Sequence, residues 1–232
     1  MRYALQNAIA QGVDILDIGA CSTRPDAQRY PSVEEEWDRL APILELLADE
    51  FAAFRHEGGL VSIDTFRPEI VSRAATYGFD IVNDVSGGTE TMDEWLAAHA
   101  EYTYVQCFTT RAYNIKKVQS VSDIQPVPKK HLSIAEVIDY LAHRVDYLRQ
   151  MGIAHIWIDP AFGFGMTAEQ SLDLLANLRY LKVLDCPIIA GISHKRMARV
   201  SGTDKTEELE QWAIEQGANI IRQHEINNYV RA

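Results

Sequence analysis

The stretch ILDIGACSTRP, from Ile15 to Pro25, places an apolar run with Asp17 inside it ahead of a glycine and a Ser-Thr-Arg-Pro loop. A short apolar run that ends in turn residues is the pattern of a strand covered on both faces. The same pattern returns along the chain at Leu60–Asp64, Ile81–Val85, Thr103–Phe108, His155–Asp159, Ile188–Ile192 and Asn219–Arg222. Most of these runs are apolar on successive residues, as expected of parallel strands.

Helical patterns separate them. Ser32-Val33-Glu34-Glu35 is a capping box that opens a stripe of Val33, Trp37, Leu40, Leu44, Leu47 and Phe51. Ser133 with Glu136 and Thr167 with Gln170 repeat the device before further stripes, and Gly152 and Gly78 are placed to end helices. Pro68 suits a first helical turn, while Pro42 predicts a kink or a break. Seven βα-like units with no composition shift predict one α/β domain over residues 1–232, a TIM (β/α)8 barrel. The chain opens on MRYALQNAIAQG, which reads as a helix, so the first β-strand is expected to be missing. A barrel in that state has two edges that need cover. The aperiodic Thr109–Lys130 connection follows a strand and reads equally as a substrate lid or a mobile surface loop.

With 232 residues, 47% of them hydrophobic, the chain can bury one sizeable core. Its formal net charge of −11 argues against nucleic acid and anionic membrane as partners. Neither a membrane-length apolar run nor a signal peptide is seen, so a soluble cytoplasmic protein is expected. Three scattered cysteines do not make a disulfide framework or a zinc ribbon. CxxC, HExxH and Walker patterns are missing, no Ser-His-Asp set can be assigned from spacing, and no metal ligand is assigned.

The informative regularity lies at the strand ends. Asp64, Asn83-Asp84, Asp159, Ser193-His194-Lys195 and Arg222-Gln223-His224 close successive runs. In a parallel barrel all of these termini face one mouth, where active sites are built. Taken singly, each has a plainer role. Asp64 or Asp84 alone more often caps the next helix, Asn83 can satisfy a turn, and Lys195 and His224 can be solvated. Asp17 reads as hydrogen-bonded structural support, and Phe162 or Phe164 as a wall for a flat substrate or as core. Five polar clusters in series, acids first and bases later, point instead to a site that matches a polar heterocycle and neutralises an anion.

The strings DILDIGACSTRP, SIDTFRPEI with IVNDVSGG, IDPAFGFG with TAEQSLDLL, GISHK and GANIIRQHEI resemble dihydropteroate synthase, in the family's order and over nearly the whole chain. The resemblance implies an enzyme of folate biosynthesis. It condenses hydroxymethyl-dihydropterin pyrophosphate with p-aminobenzoate, with Mg2+ assistance to the departing pyrophosphate, and commonly works as a homodimer. It further implies that Asp64, Asn83 and Asp159 hydrogen-bond the pterin, and that Lys195 contacts the pterin beside the aminobenzoate site. Arg222 and His224 hold the pyrophosphate, and Thr23 and Arg24 belong to a loop that closes over the aminobenzoate. Asp64 and Lys195 are the expected catalytic residues, with Phe164 against the substrate.

Departures accompany the match. The family's Asn-x-Thr-Pro-Asp-Ser-Phe segment, with its metal-site asparagine, is missing. Ser193-His194-Lys195-Arg196 stands for Ser-Arg-Lys-Ser, and Met166 for a lysine. Tyr104–Phe108 lacks a Met-His string, and Cys21 replaces an acid. Two alternatives follow: a non-catalytic pterin-binding homologue, and a folate-dependent methyltransferase on the same barrel.

Overall fold

A computed structural model describes residues 2–23, 31–111, 123–193, 195–200 and 203–223. All seven expected strands form: β1 (Ile15–Gly19), β2 (Leu60–Asp64), β3 (Ile81–Asp84), β4 (Thr103–Cys107), β5 (Ile156–Asp159), β6 (Ile189–Gly191) and, last in the chain, β9 (Ile220–Arg222). Strands β1 to β5 lie side by side in chain order, all parallel, and β6 pairs in parallel with β9. A parallel bridge between Ile158 and Ile188 joins the two groups, and the Ile158 N–H donates to the Pro187 carbonyl at 2.9 Å. The succession is that of a TIM barrel, but the barrel is not closed. Among the described residues, β1 pairs only with β2 and β9 only with β6. A two-residue antiparallel pair, β7 (Arg199–Val200) with β8 (Thr203–Asp204), was not expected. It is too short to leave a periodic signal.

Helices α1 (Arg2–Ala10), α2 (Val33–Leu46), α3 (Ala48–His56), α4 (Pro68–Ala74), α5 (Glu90–Ala98), α6 (Ile134–Gln150), α7 (Ala168–Ala176) and α8 (Thr206–Glu215) connect the strands. The three expected capping boxes form at Ser32, Ser133 and Thr167. At the first, Ser32 Oγ accepts from the Glu35 N–H at 3.2 Å, and the Glu35 carboxylate accepts from the Ser32 N–H at 2.9 Å. Pro42 does not break its helix. α2 continues through it to Leu46, and the break comes at Leu47, whose N–H still reaches the Ile43 carbonyl at 3.1 Å. None of the helices among the described residues is long and apolar enough to cross a membrane.

Successive strand side chains point to opposite faces, which gives the arc two different surfaces. Outward, Leu16, Val61, Ile63, Val82, Tyr104, Ile156 and Ile158 join the helices in the main core. Inward, Ile15, Leu60, Ile81, Val105, Trp157, Ile189 and Ile220, one from each strand, pack into a separate apolar plug. Two residues further along each strand, the inward positions include Asp17, Asn83, Cys107, Asp159, Gly191 and Arg222. The plug closes the bottom of the arc and leaves a polar layer above it.

The outward face carries a buried polar network of its own. Arg144 on α6 is 1% exposed and forms an ion pair with Asp93 on α5 at 2.8 Å. Its Nε donates to Gln106 Oε1 at 2.7 Å, and Gln106 Nε2 donates to the Gly87 carbonyl at 2.8 Å. The guanidinium fills the space beside Gly88, which holds φ +97; a Cβ there would stand 2.0 Å from Arg144 Nη2. The network ties the β3–α5 turn to β4 and α6. Asp93→Ala leaves the Arg144 charge buried and uncompensated, so urea unfolding is expected to register a loss of about 3–5 kcal/mol.

Candidate active site

The C-terminal ends of the parallel strands open into a cavity of about 650 Å³. Asp64, Asn83, Asp159 and Arg222 line it from β2, β3, β5 and β9, and Thr23, Phe164 and Lys195 line it from the loops. Seven of the nine expected site residues are therefore brought to one mouth. Arg24 and His224 lie outside the described residues.

Each side chain is held by a local device. Asp159 Oδ1 accepts from the Ala161 N–H at 2.7 Å, within the turn where Ala161 takes the left-handed φ of +56. The turn runs on through Phe162, which is buried, to Phe164, which faces the cavity with Lys195 Nζ 4.9 Å from its ring centroid. Phe162 belongs to the core, and both it and Phe164 line the cavity. Arg222 lies flat against Gly191, where a Cβ would come 3.0 Å from Nη2. Arg222 Nε is buried without a hydrogen-bond partner among the described residues. Burial works against the Arg222 charge, but the carboxylates of Asp159, Asp17 and Asp64 more than offset it and make the guanidinium more basic than usual. Asp64 experiences the converse. Burial first, and then the Asp17 charge, push its carboxyl up to about 8 against the opposing pull of Arg222.

The plainer roles for the acids are not the ones observed. α4 has Arg67 at its N-cap with no side-chain cap, and α5 is capped by Thr89, so neither Asp64 nor Asp84 caps a helix. Asp84 points away from the cavity, accepting from the Ser86 N–H at 2.8 Å and the Tyr104 hydroxyl at 2.9 Å. One residue of register separates it from Asn83, and that places the two on opposite faces.

Three participants were not assigned to the site from the sequence. Asp17 accepts from Asn83 Nδ2 at 2.9 Å, so the hydrogen bond expected of it joins it to a site residue. Gln125 donates from Nε2 to the Thr23 carbonyl at 2.9 Å, and Arg111 Nε donates to the Gln125 carbonyl at 2.7 Å. Ile124 beside it is buried against Phe66, with Cys21 and Val85 packed around them. The part of the Thr109–Lys130 connection within the described residues therefore packs across the rim; residues 112–122 lie outside them. Only the two-residue spacing from Ile15 could have pointed to Asp17, and nothing local pointed to Gln125 or Arg111. Of the departures, Met166 is buried in the main core, and Cys107 lines the cavity with its thiol pushed well above the usual range by burial.

A family model described as pterin binding enzyme matches residues 3–224. Dihydropteroate synthase of Escherichia coli K12 is 33% identical over 236 residues, which cover 97% of this chain and 77% of that protein. The chain belongs to the pterin-binding enzyme family. Within that family it is also similar to the folate synthesis bifunctional protein of Chlamydia trachomatis serovar D, 31% identical over 98% of this chain. The chain spans about half the length of that longer relative, 51%. Among solved structures, Burkholderia cenocepacia dihydropteroate synthase complexed with 7,8-dihydropteroate aligns with a TM-score of 0.78 and 29% identity, covering 97% of this chain and 80% of that one.

A carboxyl that keeps its proton to about 8 in the folded chain, against about 4 in an unfolded one, makes the native state the better proton binder. Its contribution to stability therefore falls as pH rises between those values. Asp64→Asn removes that slope, and thermal melts at about pH 5 and about pH 8.5 are expected to show the variant gaining on the parent at the higher pH. Parallel shifts at both values would mean that Asp64 ionises normally.

Proposed function

We propose that the chain is a dihydropteroate synthase, joining a hydroxymethyl-dihydropterin pyrophosphate to p-aminobenzoate. The observation that carries this is the division of the cavity. A layer of carboxylate and amide groups, Asp64, Asn83 and Asp159, with Asp17 hydrogen-bonded to Asn83, meets Arg222 and Lys195 across one space walled by Phe164. A flat heterocycle edged with donors and acceptors matches the first set, and an anionic leaving group matches the second. Family membership and the product named in the Burkholderia complex support the same substrates. The reading treats residues 1–232 as one pterin-binding domain, acting in the cytoplasm as a homodimer, whose mass light scattering can check.

The chemistry asks for positioning more than for a strong base. The aniline-type nitrogen of p-aminobenzoate is a free base at neutral pH, and its lone pair attacks the methylene carbon of the pterin. The carbon–oxygen bond to pyrophosphate breaks as the new carbon–nitrogen bond forms, and the proton of the resulting ammonium passes to solvent. Asp64, Asn83 and Asp159 hold the ring in line, while Arg222 and Lys195 stabilise the charge that builds on the departing oxygen. Thr23 belongs to the rim over the aminobenzoate, and Arg24 and His224, which lie outside the described residues, are assigned in this reading to the aminobenzoate and to the pyrophosphate.

Mg2+ enters this reading as a companion of the pyrophosphate, where it would neutralise phosphate charge. Among the described residues no group of three His, Cys, Asp or Glu side chains is arranged to hold a metal ion, and no step is assigned to it. The cationic side of the cavity favours a pyrophosphate substrate over a methyl-group donor.

Asp159→Ala and Asn83→Ala are each expected to weaken binding of the pterin pyrophosphate about 10–100-fold by calorimetry, because each leaves a ligand hydrogen bond unpaired. Pyrophosphate release that depends on added p-aminobenzoate tests turnover. Pterin binding without such release would leave a binding protein. Gln125→Ala frees the Thr23 backbone at the rim, and is expected to raise the aminobenzoate KM several-fold with pterin affinity within about 2-fold.

A further inference from the structure

We propose that Arg67, outside the cavity, is a positioning residue for the second substrate: together with Phe66 it forms the footing on which both ends of the loop after β1 rest, and so sets where Thr23 stands over the cavity. The proposal rests on the synthase reading for the identity of that substrate.

Arg67 is an unfavourable residue for its place in the helix. It stands at the N-cap of α4, where Ser, Thr, Asp or Asn would cap and where the helix dipole disfavours a cation, and its side chain makes no cap. It is nevertheless only 4% exposed and forms an ion pair with Glu36 of α2, which is fully buried. A buried ion pair does little for stability by itself, so the remaining contacts of the guanidinium carry the argument. Nη2 donates to the Pro31 carbonyl at 2.7 Å, and Nη1 reaches the Ser32 carbonyl at 3.4 Å. These two carbonyls belong to the returning end of the loop after β1, where it enters α2.

The outgoing end of that loop meets the same footing. The Arg67 guanidinium lies over the Phe66 ring, 4.8 Å from its centroid. Phe66 is fully buried and packs with Ile124, and Cys21 closes on the pair. Gln125, next to Ile124, holds the Thr23 carbonyl at 2.9 Å, and Thr23 lines the cavity. Cys21, Thr23 and Pro31 are therefore all referred to Phe66 and Arg67. The guanidinium is fixed from behind as well: Glu36 Oε1 accepts from the Thr65 hydroxyl at 2.8 Å, and that hydroxyl accepts from the Arg67 N–H at 3.2 Å. Reaching a carboxylate and a backbone carbonyl at once while stacking on a ring requires a planar fork. A lysine ammonium supplies the charge and not the plane.

Two variants separate positioning from support. Arg67→Lys keeps a cation opposite Glu36 and loses the fork and the stacking. Glu36→Met combined with Arg67→Met replaces the pair by apolar side chains, an exchange that buried ion pairs tolerate. In steady-state pyrophosphate release, both are expected to raise the aminobenzoate KM about 10-fold, with pterin pyrophosphate affinity by calorimetry within about 2-fold of the parent. The ligand-free protein gives an independent readout, the rate of thiol labelling at Cys21 relative to Cys186, assigned by peptide mass spectrometry. Both thiols are half-buried, and Cys186 precedes β6 at the opposite end of the strands. Burial, and then the Glu36 charge, push the Cys21 thiol up to about 11, so the parent labels slowly there. Labelling of Cys21 is expected to quicken about 10-fold relative to Cys186 as its packing on Phe66 loosens. An Arg67 that only supports the fold would lower the Tm of the lysine variant and leave both readouts in place. An unchanged aminobenzoate KM, or unchanged Cys21 labelling, in a variant with native circular dichroism overturns the proposal. A parent protein that binds no pterin pyrophosphate defeats the functional reading alone, because ligand-free labelling still decides whether Arg67 seats the loop.

Discussion

Strand alternation is the constraint on which the rest depends. Each parallel strand must bury two faces with one short sequence, and successive residues go to opposite sides. Outward residues meet helices and are apolar almost throughout. Inward residues first form the plug from Ile15 to Ile220, and only above it does the interior become polar. The plug is what makes a polar layer affordable, since it seals the arc with packed side chains and confines the charged groups to the open end, where ligand and water can reach them.

The charges in that layer are balanced as a group. The charges of Asp17, Asp64 and Asp159 act on one half-buried arginine, and the consequences run both ways: Arg222 is made more basic and Asp64 less acidic. The crowding is a source of chemical differentiation. Burial and the charges that face it push the Asp64 carboxyl up to about 8. The outer network of Arg144, Asp93 and Gln106 does the opposite work. It is closed on itself, fully buried, and holds the β3–α5 turn in place behind Asn83.

The rim is held by backbone contacts between distant segments. Gln125 reaches the Thr23 carbonyl across 102 residues of sequence, and Arg111 holds Gln125 in turn. Such contacts couple the β4–α6 connection to the loop after β1, so two loops that read as independent in the chain act on the same edge of the cavity.

Element order, the capping boxes at Ser32, Ser133 and Thr167, and the strand-end positions of Asp64, Asn83, Asp159, Lys195 and Arg222 were all legible in the chain, because they rest on local periodicity and on where an apolar run stops. The family strings carried the rest of the functional expectation. What the chain could not show was which of two adjacent polar residues faces the cavity. Asn83 and Asp84 look equivalent as letters, and only register against β2 and β4 sends one inward and the other to Tyr104. The break at Leu47 instead of Pro42, the partnership of Asp17 with Asn83, and the span from Gln125 to Thr23 were settled the same way. Local sequence determines which segments become strands and helices; the pairing of those segments in space determines which side chains share a dielectric environment, and with it their charge and their use.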